Sequence, residues 1–165
     1  MAGHIAAAAA ALVRTLELRP HPEGGFFREV YRSASSITPG DGRAVRAALT
    51  TIVFLVTAGE VSRWHRVRSD EVWHFYEGAS LRLRTLGPDL TDPREHTIGP
   101  VAETGARMSV VPAETWQAAE TTGAYSLVGC TVAPGFDFAD FALAADVPGA
   151  ATAIRALGPA FARFL

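Results

Sequence analysis

The chain has 165 residues, a formal net charge of −2 at pH 7 and a pI near 6.2, a length typical of one domain that buries about 70% of its unfolded surface. This charge balance, without any run of basic residues, predicts no attraction for nucleic acid or for an anionic membrane surface. The single cysteine, Cys130, excludes an internal disulfide and lies in an apolar stretch typical of a packed strand thiol.

The first segment is rich in alanine, and its larger apolar residues fall on one side of a helical wheel: Ile5, Leu12, Val13 and Leu16. This spacing predicts an amphipathic helix over about residues 4–17, which ends before Pro20. The segment lacks the basic start and the long apolar run of a secretion signal, and no stretch is apolar enough to span a membrane. We therefore expect a cytoplasmic protein.

A turn-rich loop, residues 21–25 (His-Pro-Glu-Gly-Gly), follows the helix, and its glycines permit positive φ. We assign His21 to this loop or to a capping role rather than to a ligand set.

Residues 26–33 then alternate as a strand, with Phe27, Glu29 and Tyr31 on one face. An aromatic ring, a carboxylate and a phenol on one face fit either a surface strand or a strand that lines a cavity.

The strongest strand signal is the branched and aromatic run at residues 49–57. Residues 79–86 alternate leucine with arginine, which predicts leucines in the core and arginines outside. Further strands are predicted at 95–98, at 107–111 and 115–119 as a pair joined by a short turn, and at 125–133. A helical tail at about 150–165 should break at Gly158-Pro159.

Many short strands between terminal helices predict an antiparallel jelly-roll barrel.

Residues 59–78 form a polar and ionisable stretch inside this apolar chain. The pattern predicts a strand, a tight turn at Ser69-Asp70 and a second strand, with His65 and Glu71 on either side of the turn. Neighbouring strands would bring the imidazole and the carboxylate to one cavity. His74 lies three residues after Glu71, so strand alternation points it to the opposite face unless a bulge intervenes.

This stretch resembles the first motif of the cupin superfamily, Gly-x5-His-x-His-x3,4-Glu-x6-Gly. The matching residues are Gly59, His65, Glu71 and Gly78, and Val67 stands where the motif has its second histidine. Residues 105–121 are similar to the second cupin motif, with Gln117 in the place of the metal-binding histidine.

Four separate blocks resemble one branch of the superfamily, the small single-domain family cupin-5: residues 21–33, 70–78, 111–113 with 116–117, and 132–138. The resemblance implies an all-β double-stranded β-helix that forms one domain over residues 1–165, with the barrel at about 26–145. It also implies a homodimer and an architecture similar to that of the sugar-nucleotide epimerases. It does not imply a particular substrate.

The usual cupin site holds Fe, Mn, Ni or Zn with three imidazoles and one carboxylate. Here only His65 and Glu71 match that set, and the amide of Gln117 is a weak third donor. We therefore predict no metal cofactor. A divalent transition metal on these three residues is the alternative.

Without a metal, His65 suits a general base near neutral pH, Glu71 its orienting partner and Gln117 a partner for a substrate carbonyl. Tyr31 or Tyr76 would supply the opposing acid. The remaining candidates would bind the substrate: Arg28, Glu29, Arg63, Trp64, Trp73, His74 and Trp116. The three tryptophans fit a flat pocket wall and a plain core equally well.

We therefore predict a small-molecule-binding cupin that acts as an isomerase, epimerase or lyase by acid–base chemistry on a small polar metabolite, such as a sugar derivative. One alternative is a ligand-binding cupin without catalysis. Another is a metal-dependent cupin oxygenase or isomerase. The expected partners are the small-molecule ligand and a second copy of the chain.

Overall fold

A computed structural model describes residues 2–165, with side chains from residue 7 onward, so the predicted apolar position Ile5 lies outside the described side chains. The elements in chain order are α1 (Ala2–Thr15), β1 (Arg19–Pro20), β2 (Phe26–Arg32), β3 (Ser36–Ile37), β4 (Arg46–Ala47), β5 (Thr50–Thr57), β6 (Ser62–Val67), β7 (Asp70–Gly78), β8 (Leu81–Leu86), β9 (Arg94–Ile98), α2 (Val101–Thr104), β10 (Met108–Val111), β11 (Trp116–Thr121), β12 (Tyr125–Ala133), β13 (Phe141–Leu143), α3 (Ala150–Ala156) and α4 (Pro159–Ala162). Short 3-10 turns at Phe138–Asp140 and Ala144–Asp146 flank β13.

Two antiparallel sheets make up the barrel. The six-stranded sheet has the order β1-β2-β5-β12-β7-β10, and the five-stranded sheet has the order β13-β6-β11-β8-β9. A small β3–β4 pair lies beside them. From β5 to β8, and again from β9 to β13, strands that follow one another along the chain alternate between the two sheets, which is the jelly-roll arrangement. The predicted fold class is confirmed.

The main core lies between the two sheets and consists of their inward-facing side chains, among them Phe54, Trp73, Phe75, Leu81 and Leu83. Along β8 buried residues alternate with part-exposed arginines, as the sequence pattern predicted. The site described below occupies one end of this same interlayer space.

Helices cover part of the outer faces. Helix α1 packs against Leu55 and Leu127 at one end of the six-stranded sheet. The C-terminal helices cover the five-stranded sheet, where they bury Trp64 and Trp116. The tail helix breaks as predicted, and Pro159 begins α4. None of the described helices is both long enough and apolar enough to cross a membrane.

The turn between β6 and β7 crosses from one sheet to the other. Strand β6 pairs with β11 and β13, whereas β7 pairs with β12 and β10. The prediction that His65 and Glu71 lie on neighbouring strands of a hairpin is therefore wrong. A tight turn determines only where the chain bends, because the pairing partners come from distant segments. The two side chains instead approach each other across the space between the sheets.

The same correction applies to the predicted pair of strands at 107–111 and 115–119. Strand β10 lies at the edge of the six-stranded sheet, and β11 lies inside the five-stranded sheet between β6 and β8. The connection between them is held by the backbone N–H of Ala113, which donates to the Asp70 carboxylate at 2.8 Å. Glu114 adopts a positive φ of 64° in this turn.

Two strand irregularities bring extra side chains to the interior. In β2 the register shifts between Glu29 and Tyr31, so Glu29 and Arg32 both line the cavity although they are three residues apart. Tyr31 turns to the opposite face and is exposed, which corrects its predicted position beside Glu29. In β6 a shift relative to β11 allows Ser62 and His65, also three residues apart, to face inward together.

The loop between β1 and β2 carries Glu23 into the barrel. Gly24 has a φ of +109°, and a Cβ there would lie 2.2 Å from the Val61 carbonyl oxygen. The loop is tied to β6 by the backbone N–H of Arg63, which donates to the Glu23 carbonyl at 2.8 Å. Because a side chain at position 24 has no room, glycine lets the loop lie directly on the barrel backbone.

Replacing Gly24 with alanine should therefore displace the loop and lower the free energy of unfolding by roughly 2–4 kcal/mol, since steric overlap adds to the strain of a positive φ. Gly42→Ala is the matched control, because Gly42 has a φ of +82° with open space around it. Urea unfolding measures both variants. Equal losses of stability would show that the close approach to Val61 contributes nothing.

Candidate functional site

A cavity of about 410 Å³ opens between the two sheets. Its deep end carries buried polar groups, namely His21, Glu23, His65, Glu71 and Cys130. Its mouth carries exposed residues, namely Arg19, Glu29, Arg32, Asp137 and Phe138. Apolar side chains, namely Phe27, Ile52, Val67, Val132, Phe136 and Phe141, form the wall between them. The cavity therefore has polar, ionisable side chains at the bottom and apolar walls above them.

Glu23 lies at the deep end among three polar partners. The hydroxyl of Ser62 donates to Glu23 Oε1 at 2.8 Å. Glu23 Oε2 lies 3.3 Å from His65 Nε2 and 3.4 Å from His21 Nδ1. Burial raises the pKa of Glu23 to about 8, although Ser62 and Arg63 oppose the rise. Glu23 therefore holds its proton at neutral pH.

His65 is oriented by contacts on both ring nitrogens. Its Nδ1 lies 2.7 Å from the Arg63 carbonyl oxygen, which can only accept a hydrogen bond, so Nδ1 carries a proton. In the neutral ring, Nε2 is then an acceptor that faces Glu23. Burial lowers the pKa of His65 against the attraction of Glu71, and it favours this neutral form. Glu23 and His65 thus share one proton across their contact.

Glu71 is held from behind by an amide. The indole N–H of Trp73 donates to Gln117 Oε1 at 2.9 Å, which orients the amide so that its Nε2 donates to Glu71 Oε2 at 2.5 Å. Burial raises the pKa of the Glu71 carboxyl, while His65 and the hydrogen bond from Gln117 lower it. Gln117 is therefore a link between Trp73 and Glu71 rather than a group in the cavity.

His21 completes the deep end. Its Nδ1 accepts a hydrogen bond from the backbone N–H of Glu23 at 3.2 Å, so the loop role predicted for it is present. Its ring also lines the cavity and packs edge-on against Phe27, with 4.5 Å between the ring centroids. Burial, followed by the charges of His65 and Arg19, lowers the pKa of His21 to about 3. The ring is therefore neutral.

The mouth contains two arginines, of which one is paired with a carboxylate and the other packs on an aromatic ring. Arg32 binds both carboxylate oxygens of Glu29, at 2.9 and 2.7 Å, and donates to the Phe136 carbonyl. Arg19 lies over the ring of Phe27, with 4.9 Å between its guanidinium carbon and the ring centroid. The aromatic wall continues to the bottom of the cavity, where Phe141 stacks on His65 with 5.5 Å between centroids.

The structure brings three of the predicted site residues to the cavity: His65, Glu71 and Glu29. Gln117 lies directly behind Glu71, and Arg63 contributes its carbonyl oxygen to His65 while its side chain donates to Pro22 and Glu23 carbonyls. The other predicted residues are not part of the cavity lining: Tyr31, Arg28, Trp64, Trp73, His74 and Trp116.

Each of these outlying residues has a different setting. Arg28 pairs with Glu17 at 2.9 Å on the surface. Trp64 and Trp116 pack under the C-terminal helices, and Trp73 lies in the main core. His74 is part-buried and faces away from Glu71, as strand alternation predicted, because β7 is regular between them. The flat walls of the cavity are phenylalanines instead of tryptophans.

Sequence reasoning missed Glu23, Ser62 and the cavity role of His21. One signal was available, because Glu23 stands directly before two glycines. Such a loop can pack closely against other backbone and so carry a polar side chain inward. Nothing local indicated Ser62, since its inward orientation depends on the irregularity in β6.

The cupin fold raises the question of a metal. The predicted ligand set does not fit, because both polar atoms of the Gln117 amide are engaged, by Trp73 and by Glu71, outside the cavity lining. At the position of the second motif histidine, Val67 supplies an apolar side chain. In the described part of the chain, no three His, Cys, Asp or Glu residues are grouped so that they could hold a metal ion.

Solved structures similar to this chain include two with substantial sequence identity. A hypothetical protein from Leishmania major is 32% identical, with a TM-score of 0.80 over 93% of this chain and 94% of that chain. A protein from Shewanella oneidensis is 36% identical, with a TM-score of 0.74 over 82% and 83% of the two chains. KdgF from Halomonas sp. is 16% identical, with a TM-score of 0.52 over 74% and 89%, which shows a common fold only.

No curated protein matches this chain. The sequence profile named Cupin_5, described as cupin superfamily (DUF985), matches residues 10–144. This match confirms the resemblance drawn from the motifs. The chain therefore belongs to the Cupin_5 family of the cupin superfamily.

Proposed function

We propose that this protein is a metal-independent acid–base enzyme of the isomerase, epimerase or lyase type, which acts on a small polar metabolite inside the cavity. The observation that carries the proposal is the buried contact of 3.3 Å between Glu23 Oε2 and His65 Nε2 at the bottom of an open cavity. It provides an acid that holds its proton beside a base that lacks one, which is the combination that carbonyl chemistry needs.

The reaction would proceed in two steps, each with two proton transfers. Glu23 donates its proton to the carbonyl oxygen of the substrate, while His65 Nε2 removes a proton from the adjacent carbon, and an enol is formed. In an epimerisation the enol turns in the cavity, the imidazolium returns its proton to the opposite face of the same carbon, and the enol oxygen returns the first proton to Glu23. In an isomerisation of a hydroxy carbonyl compound, the imidazolium gives its proton to the former carbonyl carbon, and the hydroxyl on the adjacent carbon gives its proton to Glu23 as the new carbonyl forms. No proton or electron is gained or lost overall, so no redox partner is required.

The remaining groups would support this exchange. The Arg63 carbonyl oxygen, 2.7 Å from His65 Nδ1, keeps Nε2 directed at the substrate. Glu71 attracts a proton to His65 and would stabilise the imidazolium, while Gln117 holds Glu71 in place. Glu23 takes the role of opposing acid that the sequence assigned to Tyr31, which is exposed on the other face of β2. A sugar derivative remains one candidate substrate.

We also propose that the protein forms a homodimer through the outer face of the six-stranded sheet. Helix α1 covers only one end of that face, and large apolar side chains elsewhere on it are exposed, namely Tyr31, Tyr76, Met108 and Val110. Three of these side chains lie on edge strand β10 and on its neighbour β7, which suits a two-fold contact between copies.

The proton-transfer proposal predicts exchange at carbon. In D2O, wild-type protein should speed deuterium incorporation next to the carbonyl of at least one member of a panel of free sugars, hydroxy ketones and oxo acids, as followed by NMR. Glu23→Gln keeps the size of the side chain but cannot donate a proton, so it should slow this exchange by about 100-fold or more, as should His65→Ala.

His96→Ala is the control, because His96 is an exposed histidine on β9 and is not part of the cavity lining. Exchange at the wild-type rate in both cavity variants would contradict the proposed function. A panel member that raises the thermal midpoint of the protein but never exchanges would instead favour the ligand-binding alternative without catalysis.

The raised pKa of Glu23 makes a second prediction, on stability. Between its usual pKa of 4.5 and its folded value of about 8, the folded protein binds more protons than the unfolded chain, so the free energy of unfolding falls as the pH rises through this window. Glu23→Gln lacks this titration and should lose less stability between pH 5 and 8, by roughly 2–4 kcal/mol.

Urea unfolding at several pH values measures this difference, with Glu60→Gln as the control at an exposed glutamate. His21 acts in the opposite sense, because its pKa of about 3 makes stability rise with pH up to its usual value of 6.5, but it does so in both proteins. Parallel pH profiles for wild type and Glu23→Gln would show that Glu23 ionises normally.

The dimer proposal predicts that light scattering gives wild-type protein a mass of twice 17.5 kDa and that Val110→Asp gives a single chain. A buried, unpaired carboxylate at the contact would oppose association. Val45→Asp is the matched control, since Val45 and Val110 are both 58% exposed but Val45 lies outside this face. A monomeric wild-type protein, or dimers in both variants, would contradict the proposed interface.

A further inference from the structure

Arg19 is the cation at the mouth of the cavity that has no carboxylate partner among the described residues. Its counterpart Arg32 is neutralised by two hydrogen bonds to Glu29. Arg19 is instead positioned by the Phe27 ring, 4.9 Å from its guanidinium carbon. A guanidinium on an aromatic face keeps its N–H donors available, so Arg19 can bind an anion that enters the cavity.

His21 provides a second donor next to this cation. Because its Nδ1 accepts the backbone N–H of Glu23, the neutral ring carries its proton on Nε2. No described residue accepts a hydrogen bond from this Nε2, and it is not a sealed atom, because Trp116 Nε1 is the one fully buried side-chain polar atom without a partner in the described part of the chain. Nε2 is therefore open to the cavity that His21 lines, where a ligand oxygen can accept from it.

We propose that Arg19 and the Nε2–H of His21 form a subsite for a monoanionic carboxylate, so that the metabolite on which the enzyme acts is a short oxo- or hydroxycarboxylate. This inference rests on the proposed function, since it specifies the substrate class of the same cavity.

His21 also links the proposed subsite to the proposed acid. Its Nδ1 lies 3.4 Å from Glu23 Oε2, so a carboxylate bound at the other nitrogen of the same ring would be close to Glu23. A short acid that carries a carbonyl or hydroxyl group near its carboxylate suits this arrangement.

The charged side chains at the mouth of the cavity favour a ligand that carries one negative charge. Glu29 is already paired with Arg32, but a further carboxylate, Asp137, lines the same cavity and would repel a dianionic phosphate ester. One unpaired arginine and one neutral N–H suit a carboxylate, which accepts from both. The rest of the ligand would lie against Phe138 and Phe141, whose ring centroids are 6.0 Å apart, so an apolar or flat substituent would be tolerated.

Isothermal titration with benzoylformate, methyl benzoylformate and phenyl phosphate tests the subsite. These probes share an aromatic ring and differ in the charge of the head group. Wild-type protein should bind the acid at least about 10-fold more tightly than the neutral ester and more tightly than the dianion. Arg19→Gln should remove about 10-fold of the affinity for the acid and leave that for the ester unchanged, and Arg19→Lys should restore part of the loss.

Arg94→Gln is the control at an exposed arginine on β9, and it should bind all three probes like wild type. Equal binding of acid and ester, an acid-to-ester ratio unaffected by Arg19→Gln, or absence of saturable acid binding up to about 10 mM would overturn the subsite.

The experiments can contradict one proposal without contradicting the other. Loss of carbon exchange in Glu23→Gln together with an unaltered acid-to-ester ratio in Arg19→Gln would leave the acid–base function and remove the subsite. Carboxylate binding that depends on Arg19, without exchange of any oxo acid, would leave the subsite in a protein that only binds its ligand.

Discussion

The structure depends on the cost of placing ionisable groups where water cannot reach them. Four such groups, His21, Glu23, His65 and Glu71, are less than a tenth exposed at the bottom of one cavity. An isolated buried charge is expensive, so burial moves each pKa towards the neutral form, upwards for the carboxyls and downwards for the imidazoles. The groups can then remain inside only as hydrogen-bonded neighbours that share protons. That requirement makes the same constellation suitable for moving a proton.

The barrel supplies these groups by three departures from regular geometry. The irregularity in β6 turns Ser62 and His65 inward together, and that in β2 does the same for Glu29 and Arg32. The glycine-containing loop before β2 brings Glu23 against them. Regular strands would leave about half of these side chains on the outer faces, because successive residues alternate. Local backbone irregularity is therefore what concentrates the polarity of the site.

The two cupin motifs are present in a changed chemical form. Where the second histidine of the first motif would stand, Val67 adds to the apolar wall, and where the second motif has its histidine, Gln117 links Trp73 to Glu71 by hydrogen bonds. At position 117, where the motif has a metal-binding histidine, the side chain instead holds the Glu71 carboxylate in place. The group that contacts the remaining histidine comes from outside both motifs, since Glu23 lies on the loop between β1 and β2.

The sequence by itself determined the all-β class, the terminal helices, the strands at β5 and β8, and the family, because periodicity, turn residues and motif spacing are local properties of the chain. It also indicated His65 and Glu71 as residues of one cavity. Only the tertiary structure decided that β6 and β7 belong to different sheets, that Tyr31 faces outward and that Glu23 is the partner of His65. Strand pairing, bulges and the path of a loop are settled by contacts between segments distant in sequence, and no local pattern encodes them.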